Sequence, residues 1–349
     1  MISGINNWAA NKKLKELFAR WKPDIAHIHG VSKALSWSVI NIIHAYKIPI
    51  VYTLHDYGLV CPNLGIYNFK KEEVCRYYQP GYGLKCFLTN CDKRNYFQKL
   101  WRWFRNKYTI NFYKIDSKVS GYIIVSEFLK EVIQKNYKTS RPLEVIYNPI
   151  DRFDEISNFV EIDFSKNIKK PKFLFIGRLS AEKGIDLLLK AIKDVDANLA
   201  IIGDGELMNI CKESAGNLGD DKVQVLGYQG KERIKYEMKS SLALILPSKC
   251  MEPAPLVLQE AAYNSLPSVV ANHGGMIEFV EDGINGLYFN AGNPESLKSA
   301  MEILIKDPVY CKKLGEKAGQ IIMEKKFDIK SHLDNLEKFY DKILHKSSY

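Results

Sequence analysis

"KFLFIGRLSAEKGIDLLLKAIKDVDANLAIIGDGE", residues 172–206, carries the pattern that decides the fold. An apolar run of strand length, 172–177, closes on a glycine and a charged turn. Residues 183–194 then place apolar side chains at helical spacing, and a second apolar run, 198–203, closes on another glycine. Strand, helix, strand, with the strands apolar throughout, is the repeating unit of a parallel sheet. The unit recurs toward the C-terminus: helix 206–216, strand 223–227, helix 230–240, strand 242–247, helix 256–264, then strands 267–271 and 286–289. Helices over 294–306, 308–325 and 328–344 end the chain. The second half reads as a complete doubly wound α/β domain, with ligands expected beyond the carboxyl ends of its strands.

Toward the N-terminus, "NPID" (148–151) marks a break. Ahead of it lie strands over 22–30, 48–56, 121–126 and 143–148, with helices over 11–21, 33–47 and between the last two strands. This half offers about four strands and opens on a helix where a doubly wound domain opens on a strand, so it reads as a shortened Rossmann-like domain. The expected division is 1–148, 149–327, and a final helix, 328–349, returning to the N-terminal domain.

A length of 349 residues fits two domains at roughly 150 residues each. Hydrophobic and charged fractions of 46% and 26% are those of a globular protein. No apolar run approaches the ~20 residues of a spanning helix, and no signal-peptide layout opens the chain, so a cytoplasmic address is expected. The net charge of +10 is lopsided. Residues 1–150 carry 23 Lys and Arg against 10 Asp and Glu, and residues 151–349 carry 27 against 30. An anionic surface facing the first half is expected. No nucleic-acid motif accompanies the charge, which points to membrane lipid or a phosphate-bearing substrate and away from nucleic acid. Cys61, Cys75, Cys86 and Cys91 cluster in sequence, with 13, 10 and 4 residues between them. Zinc is one reading and a group of reduced thiols the other, since no CxxC pair is present.

The chemistry-bearing residues fall on the turns after the strands of the second half. In "MEPAPLVLQEAAYNSLP" (251–267), Glu252 lies in the loop before a helix start and Glu260 inside the helix. The backbone N–H groups of that helix start, at Leu256 and Val257, favour a phosphate. Two acceptor-only carboxylates beside it suit hydroxyl-rich groups, a sugar and a ribose. "GRLSAEKG" (177–184) brings Gly177, Arg178 and Lys183, cations suited to a diphosphate. Gly203 and Gly205 in "GDG", and Gly274 and Gly275 in "HGG", allow backbone to approach a ligand. Each residue alone also fits a plain surface turn; their convergence on one sheet edge carries the reading.

Together with "GGMIEFVEDGINGLYF", "VIYNPID" and "KPDIAHIHG", these motifs resemble the retaining GT-B glycosyltransferases of family 4 over essentially the whole chain. The resemblance implies two Rossmann-like domains facing a cleft, the second holding a UDP- or GDP-sugar and the first an acceptor, lipid-linked or saccharide. It implies Arg178 and Lys183 on the donor diphosphate, Glu252 on the donor sugar and Glu260 on the ribose. His55 in "TLHDY" matches the family histidine that faces the donor sugar. Retention by front-face attack needs no enzyme nucleophile and no required cofactor, and the setting implied is surface polysaccharide or glycolipid synthesis. Family members also begin with a strand and glycine-rich loop absent from this sequence, which leaves a non-catalytic nucleotide-binding remnant or partner subunit as the alternative.

"KRNYFQKLWRWFRNKY" (93–108) reads as an amphipathic helix. Phe97, Leu100, Trp101, Phe104 and Tyr108 form an apolar face expected to meet the core, with Lys99, Arg102 and Asn106 solvated opposite. Trp103 falls on the polar side and is expected to reach anionic lipid on the inner face of the cell membrane.

Overall fold

The computed structural model describes residues 5–30, 35–150, 170–219, 221–325 and 327–346. The chain divides into two compact units, Met1–Asn148 with Lys330–Tyr349, and Pro149–Ile329.

In the first unit, helix α1 (Trp8–Arg20) starts at Asn7, whose side chain accepts the Ala10 N–H at 3.1 Å. Strand β1 (Ala26–His29), helix α2 (Ser38–Ala45) and strand β2 (Ile50–Leu54) follow. Residues 33 and 34 of the helix expected over 33–47 lie outside the described residues. Next comes an insertion with a two-stranded antiparallel hairpin, β3 (Tyr67–Asn68) and β4 (Glu73–Val74), and helices α3 (Gly83–Leu88) and α4 (Tyr96–Lys107). A π-helical turn, Tyr108–Phe112, extends α4, and α5 (Ile115–Lys118) leads to β5 (Gly121–Ile124). Helix α6 (Glu127–Asn136), capped by Ser126 on the Leu129 N–H at 3.1 Å, precedes β6 (Leu143–Val145). The main sheet runs β1-β2-β5-β6, all parallel, and its two central strands are buried along their whole length. The C-terminal helix, Ile329–Lys346, covers this sheet: Phe339 and Ile343 pack on Val51, Ile123 and Ile146. Gly121 is glycine for that reason, since a Cβ there would stand 2.7 Å from Ile343 and 2.8 Å from Phe339.

The helix over 93–108 forms, but with its faces exchanged. Lys99 is its buried residue, donating to the carbonyls of Cys86 and Phe87. Arg102 Nε lies 3.1 Å from the buried Asp92 carboxylate, and Asn106 Nδ2 donates to Gly58 O at 2.6 Å. Trp103 packs edge-on against Phe87 at 4.9 Å instead of standing clear among cations. Phe97 and Phe104 point outward. The insertion beneath α4 presents carbonyls and a carboxylate, and burying those without partners costs more than leaving aromatics wet.

The second unit is a six-stranded parallel sheet with the order β12-β11-β10-β7-β8-β9. Its strands and helices alternate: β7 (Lys172–Ile176), α7 (Ile185–Lys193), β8 (Asn198–Ile202), α8 (Met208–Leu218), β9 (Val223–Gly227), α9 (Lys231–Lys239), β10 (Ala243–Leu246), α10 (Leu256–Tyr263) and β11 (Ser268–Ala271). Then come α11 (Met276–Phe279), β12 (Gly286–Phe289), α12 (Pro294–Lys306) and α13 (Pro308–Glu324). Chain order reverses direction between β7 and β10, which is the crevice where open α/β sheets take ligands. No helix among the described residues is long and apolar enough to cross a membrane.

Candidate functional site

Four turns of the second unit interlock beyond the carboxyl ends of β7, β8, β10 and β11. After β7, Gly177–Ser180 leads into a 3-10 turn, Ala181–Lys183, that ends at Gly184 with φ +71°. A side chain at Gly184 would put its Cβ 1.9 Å from Pro247 O, at the end of β10. The loop after β10 is tied to this turn, Lys249 N–H and Cys250 N–H both donating to Glu182 O, at 2.9 and 3.2 Å. A Cβ on Gly203 would meet Gly177 O at 1.9 Å, and one on Gly205 would meet Leu179 O at 2.3 Å. Gly275 N–H donates to Glu252 O at 2.6 Å, and a Cβ there would stand 2.2 Å from Pro253 O. The glycines therefore let loop pack on loop. That packing brings the charged turns together.

Lys183 and Glu252 meet in a direct ion pair, which Ser248 Oγ joins at 2.7 Å from Glu252 Oε1. Cys250 Sγ lies 3.8 Å from the same oxygen. Burial works against the Lys183 charge, but Glu252, Cys250 and Glu182 outweigh it and hold the ammonium above its ordinary pKa. Glu252 is 7% exposed, so it is neither a solvated carboxylate nor a surface partner of the helix dipole. Arg178 is exposed, and no carboxylate among the described residues pairs with it. Helix α10 begins at Leu256 after Pro255, with no side-chain cap on the first-turn N–H groups at Leu256 and Val257. Glu260 is half-buried one turn further on. His273, unremarked in the sequence, holds the wall by pairing with Ser248 O at 2.8 Å. Ser248 itself gave no sequence signal. The arrangement offers an exposed guanidinium, an ammonium with two protons to spare, and a helix N-terminus, a set suited to a diphosphate.

The first unit holds His55 one residue beyond β2, where it belongs to a row of histidines. His29 Nδ1 lies 3.0 Å from His55 Nε2, with the rings stacked at 5.3 Å. The His27 and His29 ring centroids are 4.1 Å apart. His27 reaches Tyr340 OH and Thr53 Oγ1, each at 2.6 Å. Alternation along β1 puts His27 and His29 on one face, and the register His29↔Thr53 brings His55 alongside. Burial, then His29, lowers the His55 pKa; burial, then His332, lowers that of His29. His27 falls to about 4 through burial and its neighbours His29, His55 and His332. The row is thus held neutral at pH 7. "AHIH" carried the signal for His27 and His29: two histidines two apart in a strand share a face.

For the four cysteines the sequence left zinc and a group of reduced thiols open. Cys61, Cys75, Cys86 and Cys91 gather in the insertion as free thiols, around the buried Lys99 ammonium. Burial pushes Cys61 up to about 11 and Cys91 up to about 12. Among the described residues no group of three or more His, Cys, Asp or Glu is arranged to hold a metal ion. A fixed cation already occupies the neighbourhood of the four thiols.

The "Glycosyl transferases group 1" family model matches residues 159–320, and the "Glycosyltransferase Family 4" model matches residues 3–152. An uncharacterized glycosyltransferase of Methanocaldococcus jannaschii is 30% identical over 66% of this chain and 62% of its own length. A Campylobacter jejuni alpha-1,4-N-acetyl-D-galactosaminyltransferase, named for a saccharide-PP-undecaprenol, is 30% identical over 51% of this chain and 49% of its own. The matches span less than two-thirds of these relatives' lengths. Anabaena HepE, solved with UDP, superposes with a TM-score of 0.69 at 17% identity, covering 95% of this chain and 82% of that one. The chain belongs to the family 4 glycosyltransferases, with the GT-B fold.

Proposed function

We propose that this chain is a retaining glycosyltransferase that takes a hexose from a UDP- or GDP-sugar and transfers it to a lipid-linked or saccharide acceptor. Its setting is surface polysaccharide or glycolipid synthesis, and the reading invokes no cofactor beyond the donor. The observation that carries it is the Lys183–Glu252 pair held beside the uncapped start of α10, with Arg178 open to solvent.

Arg178 and Lys183 bind the donor diphosphate and offset the charge that grows on the leaving phosphate, which is where preorganised cations lower a barrier most. Leu256 and Val257 N–H groups add to that cradle. Glu252 accepts hydrogen bonds from hydroxyls of the donor sugar while Lys183 and Ser248 hold it in place. Glu260 accepts from the ribose. His55, held neutral beside His29, presents a ring nitrogen to the sugar. The leaving phosphate takes the acceptor proton, so no side chain forms a covalent intermediate. The named acceptor of the Campylobacter relative and the UDP bound by HepE support these substrate classes.

Incubation with a panel of UDP- and GDP-sugars, read as nucleotide release, tests the reading. Release that falls on Arg178→Ala and Glu252→Ala is the expected result. Nucleotide binding without release, indifferent to Glu252→Ala, would instead support a non-catalytic remnant.

A further inference from the structure

The exchanged faces of α4 leave an aromatic ridge on the surface of the first unit. Phe97, Phe104 and Phe112 are 64%, 51% and 71% exposed. Trp101 and Tyr108 fill the positions between them. Ring centroids are 6.1 Å apart for Trp101 and Phe104, 6.0 Å for Phe104 and Tyr108, and 4.7 Å for Tyr108 and Phe112, with interplanar angles of 27°, 23° and 17°. The π-helical turn carries the stripe on to Phe112. At ~1.5 Å per residue, 97 to 112 makes a ridge roughly 20 Å long. Aromatic side chains of ~200 Å² each put on the order of 350 Å² of apolar surface on the three phenylalanines alone, the size at which a patch marks an interaction site.

Charge identifies what meets the ridge. Residues 96–112 contain no Asp or Glu, and residues 82–118 carry nine Lys and Arg against two Asp. Both acids are engaged, Asp92 with Arg102 and Asp116 with the Tyr122 hydroxyl. Helical geometry sets Arg105 on one flank of the ridge and Lys107 on the other, with Lys107, Arg94, Lys85 and Lys114 exposed. An apolar stripe bordered by cations, turned away from its own core, has the build of a helix that lies in a membrane interface. A second copy would bring like charge to like charge across a two-fold contact. Single-stranded nucleic acid needs open ring faces for its bases. Here Trp101, Phe104, Tyr108 and Phe112 stack ring on ring along the helix, which takes up faces that bases would need.

We propose that the outward face of α4 and its π-helical turn is a docking surface for an anionic lipid bilayer, the aromatic ridge entering the headgroup region and the flanking cations meeting lipid phosphates. It rests on the ridge and not on the donor site, so either reading can fail alone.

The test is co-sedimentation of the full chain with vesicles of phosphatidylcholine, with and without phosphatidylglycerol. Binding to the anionic vesicles, weakened by salt, is expected. Phe97→Ser and Phe112→Ser, whose side chains lie outside the packed core, should each weaken partitioning on the order of tenfold while leaving the melting temperature in place. Lys107→Glu should weaken binding to anionic vesicles only. Equal sedimentation with both vesicle types, or none with either, would overturn the proposal. So would self-association or oligonucleotide binding that Phe97→Ser abolishes while vesicle binding is lacking.

Discussion

Replacing Lys183 by Met keeps the aliphatic stem and deletes the ammonium. Glu252 would then be left 7% exposed with one hydroxyl donor, Ser248, at 2.7 Å and a thiol at 3.8 Å. Breaking a fully buried pair from one side costs ~3–5 kcal/mol. The Lys183 side chain is 26% exposed, which gives water a route to the stranded carboxylate, so about 2–3 kcal/mol is expected. Glu252→Gln preserves shape and an acceptor oxygen while removing the charge, and about 1–2 kcal/mol is expected. The double variant strands no charge and should lose less than the sum, with a coupling of ~1–3 kcal/mol. Urea unfolding without nucleotide measures all four corners of the cycle. Thermal shift with UDP and GDP adds a second readout: Lys183→Met should lose most of the nucleotide-dependent rise, and Glu252→Gln should keep it. Additive losses, with a coupling under about 0.5 kcal/mol, would refute the view that these residues act as one unit.

Three further outcomes follow from particular residues. Gln259 is fully buried in α10, and neither end of its amide has a partner among the described residues. Gln259→Leu should therefore stabilise by ~1–3 kcal/mol, seen as a higher urea midpoint at unchanged slope. Gly184→Ala places a methyl against Pro247 O in a left-handed backbone and should cost at least ~2 kcal/mol, with nucleotide binding falling alongside stability. His27 has a folded pKa of about 4 against an ordinary 6.5, so between these values the unfolded chain binds a proton that the folded chain refuses. Stability should fall as pH drops from about 6.5 to about 4, and His27→Gln should flatten that fall in melts taken across the range.

The second unit was legible in the sequence because its inner strands are buried on both faces and its helices carry one apolar stripe, so period and burial agree. The turns after β7 and β10 were legible because their cations and carboxylates converge with glycine turns on one edge of the sheet. The insertion between β2 and β5 was not. Its two-residue strands fall below any periodic signal, and the surface it turns toward α4 carries carbonyls and a carboxylate, so α4 turned the side with the hydrogen-bond donors inward. Apolar periodicity reports which face is greasy, and only the neighbour decides whether that face is covered. Ser248 and His273 were missed because they act through backbone carbonyls and a neighbouring carboxylate, contacts that have no fixed spacing. The histidine row needed the β1–β2 register to be seen.

The C-terminal helix gives the first unit an unusual order of assembly. Phe339 and Ile343 roof a sheet whose strands emerge from the ribosome almost two hundred residues earlier, and they pack into the room left at Gly121. At ~5–20 residues per second, translation leaves that greasy sheet bare for roughly 10–40 s. The half made first is the half finished last, and a nascent chain stalled before Phe339 should be a client for chaperones.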